Sequence, residues 1–186
     1  MNHRLFIAIN LDDILKKQLS IILEDFRREE LSVKWVEAHN LHVTLKFLGD
    51  TPEEKIIIIK KALREINYQS FSLKLKDPGC FPNIKQPRVV WLGISEGKDD
   101  LLKLNMEVEN ALEKQGFPRE SKDFKCHITL GRVKKFKKIY SIEKFLKKIE
   151  AEDFAIQRIE HIDLMKSTLY PTGPVYEILE QYLLKK

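Results

Sequence analysis

Cysteine is scarce in this chain of 186 residues. Cys80 and Cys126 are the two it has, too few for a disulfide framework, and no Cys/His set has metal-ligand spacing. Glycine and proline number 7 each, which excludes a collagenous or low-complexity chain. Apolar runs are short. Stretches such as Ile56-Ile57-Ile58-Ile59 fall far below the roughly 18 residues that cross a bilayer. Met1-Asn2-His3-Arg4 passes straight into an alternating segment, without the apolar stretch and cleavage site of a signal peptide. There is no Gly-rich phosphate loop, serine nucleophile elbow or paired-carboxylate motif. What is present is a globular composition, 43% hydrophobic and 33% charged. The length fits one domain over residues 1–186, or two small lobes sharing a core. The expectation is a reduced, soluble, cytoplasmic protein.

The net charge is +5 with a pI of about 9.0, which permits a polyanionic partner without requiring one. Lys134, Lys135, Lys137 and Lys138 surround Phe136, and Lys147-Lys148 follow. Alone, such a cluster reads as a solvated loop and helix face. It gains meaning beside a phosphate site.

Periodicity divides the chain into alternating strands and helices. Arg4 to Ile9 reads as a buried strand, followed by a helix capped by Asp12 or Asp13. A short strand lies at Val33–Val36 and a polar turn at Glu37–Asn40. His42 to Leu48 alternates, with Val43, Leu45 and Phe47 on one face and His42, Thr44 and Lys46 on the other. Thr51-Pro52-Glu53-Glu54 predicts a capped helix to about Asn67. Phe71 to Lys76 is a strand that Asp77-Pro78-Gly79 is expected to break. Arg88 to Ile94 is a buried strand, and Asp99 to Gln115 a helix closed by Gly116. Cys126 to Val133 is a strand, Ser141 caps a helix, Ala155 to Lys166 is one long strand, and Val175 to Leu184 is the last, with a short helix as its alternative. Amphipathic strands flanked by helices suit an α+β fold with antiparallel sheets covered on one face.

One pattern occurs twice. Leu41-His42-Val43-Thr44-Leu45 and Cys126-His127-Ile128-Thr129-Leu130 share the order His, aliphatic, Thr, Leu. With 5 His in 186 residues, and as many Thr, chance supplies about 0.13 His-x-Thr triplets. Residues i and i+2 of a strand point the same way, so His42 joins Thr44 and His127 joins Thr129. Two such pairs facing one cleft suit in-line displacement at phosphorus. One imidazole removes the nucleophile's proton while the other protonates the leaving oxygen. Imidazole titrates near pH 6.5, so both protonation states are available, and the threonine hydroxyls can donate to the non-bridging oxygens. No metal or cofactor is needed.

Other candidates are weaker. His39 precedes His42 by one turn but brings no third ligand. Cys126 adjoins His127, yet neighbouring strand residues face opposite ways, so it belongs to the core. Arg132 is a phosphate-clamp candidate. Strict alternation turns it away from His127 and Thr129, so it reaches a cleft only if the strand bends at Gly131. Lys46 has the parity of His42 but lies four residues on.

These segments, taken in order, resemble the 2H phosphoesterase superfamily. They are closest to its RNA 2′,3′-cyclic phosphodiesterase branch, also called 2′-5′ RNA ligases. The resemblance rests on Arg4-Leu5-Phe6-Ile7-Ala8-Ile9, on Trp35-Val36 through Asn40-Leu41-His42-Val43-Thr44-Leu45-Lys46-Phe47-Leu48-Gly49, on Cys126-His127-Ile128-Thr129-Leu130-Gly131-Arg132, and on Leu164-Met165-Lys166-Ser167-Thr168-Leu169 through Gly173-Pro174-Val175-Tyr176. It implies a bilobal α+β fold, two antiparallel sheets with pseudo-two-fold symmetry around a central cleft and helices outside. It implies metal-independent opening of a terminal 2′,3′-cyclic phosphate to a 2′-phosphate, with His42, Thr44, His127 and Thr129 catalytic and Arg132 on the phosphate. Gly131 is often Ala in the family, a change expected not to matter.

We assign His127 as base and His42 as acid, roles that symmetry leaves exchangeable. Phe6, Trp35, Phe81 and Tyr170 are candidates to stack a base. The expected partner is RNA with a 2′,3′-cyclic phosphate end, tRNA halves included. No membrane partner is expected, and the chain is expected to be a monomer. Three alternatives stay open: a 2′-5′ RNA ligase acting on tRNA halves, a cyclic phosphodiesterase for small nucleotides, and a non-catalytic RNA- or nucleotide-binding module.

Overall fold

A computed structural model describes residues 1–28, 33–134, 139–171 and 173–186, with residues 139–141 described by backbone alone. The chain order is β1 (Asn2–Asn10), α1 (Asp13–Arg28), β2 (Val33–Trp35), a 3-10 turn (Ala38–Asn40), β3 (His42–Pro52), a second 3-10 turn (Glu53–Lys55), α2 (Ile56–Arg64), β4 (Phe71–Phe81), β5 (Val89–Glu96), α3 (Lys98–Glu113), β6 (His127–Val133), α4 (Ile139–Glu150), β7 (Ile156–Ile159), β8 (His161–Tyr170) and β9 (Gly173–Leu183).

Local chemistry explains most of these boundaries. Asp12 caps α1, its carboxylate accepting the Leu15 N–H at 2.8 Å. Leu15, Leu19, Ile22, Leu23 and Phe26 then bury one stripe of the helix. Gly116 closes α3 at a φ of 83°, and the next N–H, of Phe117, returns to the Leu112 carbonyl.

Several expectations need correction. Thr51 is no helix cap. It is the buried partner of His3 in the β1–β3 ladder, its hydroxyl donates to the Gly49 carbonyl at 3.2 Å, and α2 stops at Arg64. Asp77-Pro78-Gly79 does not break β4, because Asp77 adopts a φ of 58° as a bulge and pairing with β5 resumes at Pro78. β7 pairs with β4 only from Phe71 to Lys74, so Pro78 stands on an open edge where its missing N–H costs nothing. Ser141 lies inside α4, which begins at Ile139. The stretch from Ala155 divides at Glu160 into β7 and β8, which pair with strands in different halves of the molecule.

The strand order is β7-β4-β5-β6-β3-β1-β8-β9, with β2 also on β6, and the named strands pair antiparallel throughout. The two expected sheets are β7-β4-β5-β6 and β3-β1-β8-β9. They meet at one ladder position, Val43 opposite Ile128, and so form one continuous sheet of nine strands. Val43 and Ile128 are the central residues of the two His-x-Thr motifs, so a pseudo-two-fold axis passes between them. The chain visits the second half briefly at β2, which pairs with β6, and returns at β3; it crosses again between α2 and β4 and comes back between β7 and β8. One sheet face packs against the helices in the main core, which includes Leu5, Ile7, Ile9, Val43, Leu45, Ile128 and Leu130. The other, concave face carries a small separate cluster of Phe6, Ala8 and Met165, with Tyr176 against it.

Candidate active site

His42 and His127 open β3 and β6, the two strands at the centre of the sheet. Continuing the Val43–Ile128 register sets His42 opposite Thr129 and Thr44 opposite His127. In a regular ladder the two histidines are then diagonal neighbours with Cα atoms about 7–8 Å apart. Each ring is tethered in the same way. His42 Nδ1–H donates to the Asn40 carbonyl at 2.7 Å, and His127 Nδ1–H donates to the Lys125 carbonyl at 2.6 Å. A carbonyl can only accept, so both rings keep Nδ1 protonated and leave Nε2 to exchange protons. His42 Nε2 lies 3.0 Å from the Thr44 hydroxyl.

Both rings are held below the ordinary imidazole range. For His42 burial is the main cause, partly opposed by the Asn40 carbonyl and reinforced by the charge of His127. For His127 burial again leads, opposed by the Lys125 carbonyl and reinforced by Arg132. Mutual repulsion therefore disfavours the doubly protonated pair. Aromatic rings pack around both. Phe6 lies 5.1 Å from His42 and Tyr176 meets it edge-on at 5.3 Å. Phe81 meets His127 edge-on at 5.0 Å and stacks on Trp91. The Trp91 indole needs Gly79 beneath it, since a Cβ there would collide with the ring.

Neither strand alternates to its end. In β3, Val43 and Leu45 are buried, then Lys46 is buried as well (2% exposed) and Phe47 is 59% exposed. The ladder gives the cause. Ala8 pairs with Thr44 but Ile7 pairs with Lys46, so Leu45 is an extra residue. In β6, Trp91 pairs with Thr129 and Val90 with Gly131, which leaves Leu130 as the extra residue. The burial sequence over His42–Leu48 is the same, residue for residue, as that over His127–Val133.

Each bulge turns the fifth residue after its histidine onto the histidine face. In β6 that residue is Arg132, and its charge acts on both His127 and Tyr176. The bulge at Leu130, rather than a bend at Gly131, turns Arg132 onto the face of His127. In β3 the matching residue is Phe47, 6.1 Å from Phe6, which alternation had assigned to the core. Lys46 is corrected the other way. It points into the helix layer, 2.6 Å from Glu109 and 2.8 Å from the Pro118 carbonyl. Gly131 also departs from expectation, because an added Cβ would stand 2.6 Å from Val33 and 2.7 Å from Trp35. Alanine therefore does matter here.

The remaining candidates fall outside this arrangement. Trp35 is buried against Phe145, Tyr170 is exposed at the end of β8, and His39 is exposed on its turn. Cys126 packs against the core and burial raises its thiol pKa, as it pushes Cys80 up to about 11, so neither is an activated nucleophile. Lys135, Phe136, Lys137 and Lys138 lie outside the described residues, while Lys134 is exposed. Among the described residues, no helix is long and apolar enough to cross a membrane, and no group of three or more His, Cys, Asp or Glu could hold a metal ion. Phe47 and Tyr176 were missed as site residues. The equal spacing of Phe47 and Arg132 from their histidines was the available signal.

Comparison with known proteins agrees with the internal duplication. The model of the LigT-like phosphoesterase family matches twice, over residues 9–91 and 92–176, each segment holding one His-x-Thr motif. The chain is 38% identical over 179 residues to an RNA 2′,3′-cyclic phosphodiesterase of Archaeoglobus fulgidus, covering 96% of this chain and 99% of that one. It is 41% identical over 180 residues to the protein of the same name from Thermotoga maritima, covering 95% and 92%. Among solved structures, TT0787 of Thermus thermophilus superposes with a TM-score of 0.81 at 28% identity over 98% of both chains. Escherichia coli LigT complexed with 3′-AMP shares the fold, with a TM-score of 0.79 at 24% identity over 100% of both chains.

Proposed function

The chain belongs to the LigT-like phosphoesterase family, and from that premise we propose that it hydrolyses 2′,3′-cyclic phosphate ends of RNA to 2′-phosphomonoesters. Cleaved RNAs with such ends, tRNA halves among them, are the proposed substrates, met in the cytoplasm. The proposal rests above all on the matched Nδ1 tethers, which leave the Nε2 of each ring to exchange protons. His127 Nε2 takes a proton from water as the oxygen attacks phosphorus. His42 Nε2 gives a proton to the departing 3′ oxygen on the opposite side. The turnover ends with the proton on His127, and solvent exchange resets the pair.

Arg132 supports the base role of His127, because its positive charge disfavours a proton there. Burial and the charge of His127 lower His42 as well, so the pair takes up a second proton reluctantly. The Thr44 and Thr129 hydroxyls and the Arg132 guanidinium meet the non-bridging oxygens, where charge accumulates. These groups supply both proton transfers and the charge balance, so no step calls on a metal. Phe47, on the opposite wall from Arg132, offers its exposed ring to the terminal base. Both histidines lie on one chain, so a monomer suffices.

The test is incubation with a short RNA ending in a 2′,3′-cyclic phosphate, in EDTA, beside His42→Ala and His127→Ala. The expected product is a 2′-phosphate made by the wild type and lost in both variants. No turnover by folded wild-type protein would overturn the reading, and a joined 2′-5′ product would replace hydrolysis with ligation.

A further inference from the structure

The side chains of three of the eight arginines in the sequence, Arg4, Arg88 and Arg132, have no ion-pair or hydrogen-bond partner among the described residues; those of Arg27, Arg28, Arg64, Arg119 and Arg158 are engaged. Arg132 is accounted for by the cyclic phosphate. Arg4 is not, and its position is informative. Period-two alternation sets Arg4 on the same face of β1 as Phe6 and Ala8, which line the concave side. The ladders place Arg4 opposite Ser167 of β8, and Ser167 opposite Tyr176 of β9. A guanidinium, a hydroxyl and a phenol thus form one row across three adjacent strands, with neighbouring strands about 4.8 Å apart.

All three side chains bring donors, and none of these donors is used among the described residues. The charges of Arg4 and Arg132 both act on the Tyr176 phenol, so the row faces the phosphate clamp of the other wall. Asp50, opposite Arg4 on β3, is the nearest acidic neighbour in the ladder and forms no ion pair with it. Phe6 and Phe47 form the next row toward the histidines, about 7 Å away along the strand.

We propose that Arg4, Ser167 and Tyr176 form a second phosphate subsite, which takes the phosphodiester preceding the cyclic end of an RNA chain. This rests on the reading of the cleft as an RNA-end phosphodiesterase. The terminal base covers the Phe47–Phe6 row, and the chain leaving its ribose next meets the Arg4 row. The cleft then reads a polynucleotide rather than a nucleotide.

The test compares a trinucleotide ending in a 2′,3′-cyclic phosphate with a nucleoside 2′,3′-cyclic monophosphate. Arg4→Ala is expected to lower the ratio of their kcat/KM values about tenfold, as loss of one charge-assisted contact implies. It should also flatten the salt dependence of trinucleotide binding by about 0.7 in the log–log slope. Tyr176→Phe keeps the ring against Phe6 and His42 and should lower the ratio less. Lys103→Ala, the same charge change on the outer helix α3, leaves the ratio at the wild-type value. An unchanged ratio in Arg4→Ala overturns the subsite. Wild-type turnover of the nucleotide without the trinucleotide also overturns it, while leaving cyclic-phosphate hydrolysis standing. Turnover of neither overturns both.

Discussion

β3 and β6 arrive at the same geometry through different supports. Each opens on a tethered histidine, places a threonine two residues on, and bulges at a leucine. In β3 the freed Leu45 carbonyl accepts from the Asn105 amide of α3 at 2.8 Å, and Lys46 behind it is neutralised by Glu109 from the same helix. In β6 the Leu130 carbonyl accepts the backbone N–H of Val36 at 2.8 Å. The following position is glycine because β2 lies against it. One bulge is held by buried polar side chains and the other by an added strand. The residues they deliver differ as well, an aromatic ring in one half and a guanidinium in the other. In the proposed mechanism the duplicated frame supplies the symmetric part of the chemistry, two proton-transfer groups, and the unmatched fifth residues supply the asymmetric part, an aromatic contact for the base and a charge for the phosphate.

The comparison can be broken at its most symmetric point first. His42→Ala and His127→Ala should each lower kcat by about 10²–10⁴-fold in single-turnover assays. Breaking a support comes next. Lys46→Met strands the Glu109 carboxylate, whose Oε1 already lacks a partner among the described residues, and should cost about 3–5 kcal/mol in denaturant unfolding. Adding Glu109→Leu to Lys46→Met should recover most of that loss. Arg132→Ala and Phe47→Ala sharpen the difference between the walls. The first should lower kcat about 10²-fold, because it removes charge stabilisation from the transition state. The second should raise KM about tenfold with kcat nearly kept, because stacking serves ground and transition states alike. Gly131→Ala should cost about 1–3 kcal/mol through its collision with Val33 and Trp35.

Stability against pH gives the smallest effect. His42 and His127 are both lowered in the folded protein, so the unfolded chain binds protons more readily than the folded one. Their contribution is complete above about pH 6.5 and is lost as pH falls through that value toward the lowered ones. Tm should therefore drop on the acid side, and His42→Gln should flatten the drop.

Much of this was legible in the sequence, because period-two alternation and a repeated His-x-Thr are local properties. The two strands, their helices, the face shared by His42 and Thr44, and the caps at Asp12 and Gly116 needed no tertiary information. The bulges did. Alternation counts residues, whereas the ladder counts pairs, so an extra residue at Leu45 reverses every side chain after it. Nothing local marks that residue, since its partner Asn105 is 60 positions away. The same reversal hid Phe47 and misplaced Lys46. Pro78 misled for a related reason, since its tolerance depends on which strands flank β4. Glu160 divides two strands because they pair in different halves, a fact of topology.

The most direct test of the two-histidine account is the pH dependence of kcat in the single-histidine variants. Loss of the base at His127 should abolish the acid limb of the bell, and loss of the acid at His42 should abolish the alkaline limb. Opposite missing limbs in the two variants are the predicted result. Identical profiles in His42→Ala and His127→Ala would contradict the division of labour between the two halves.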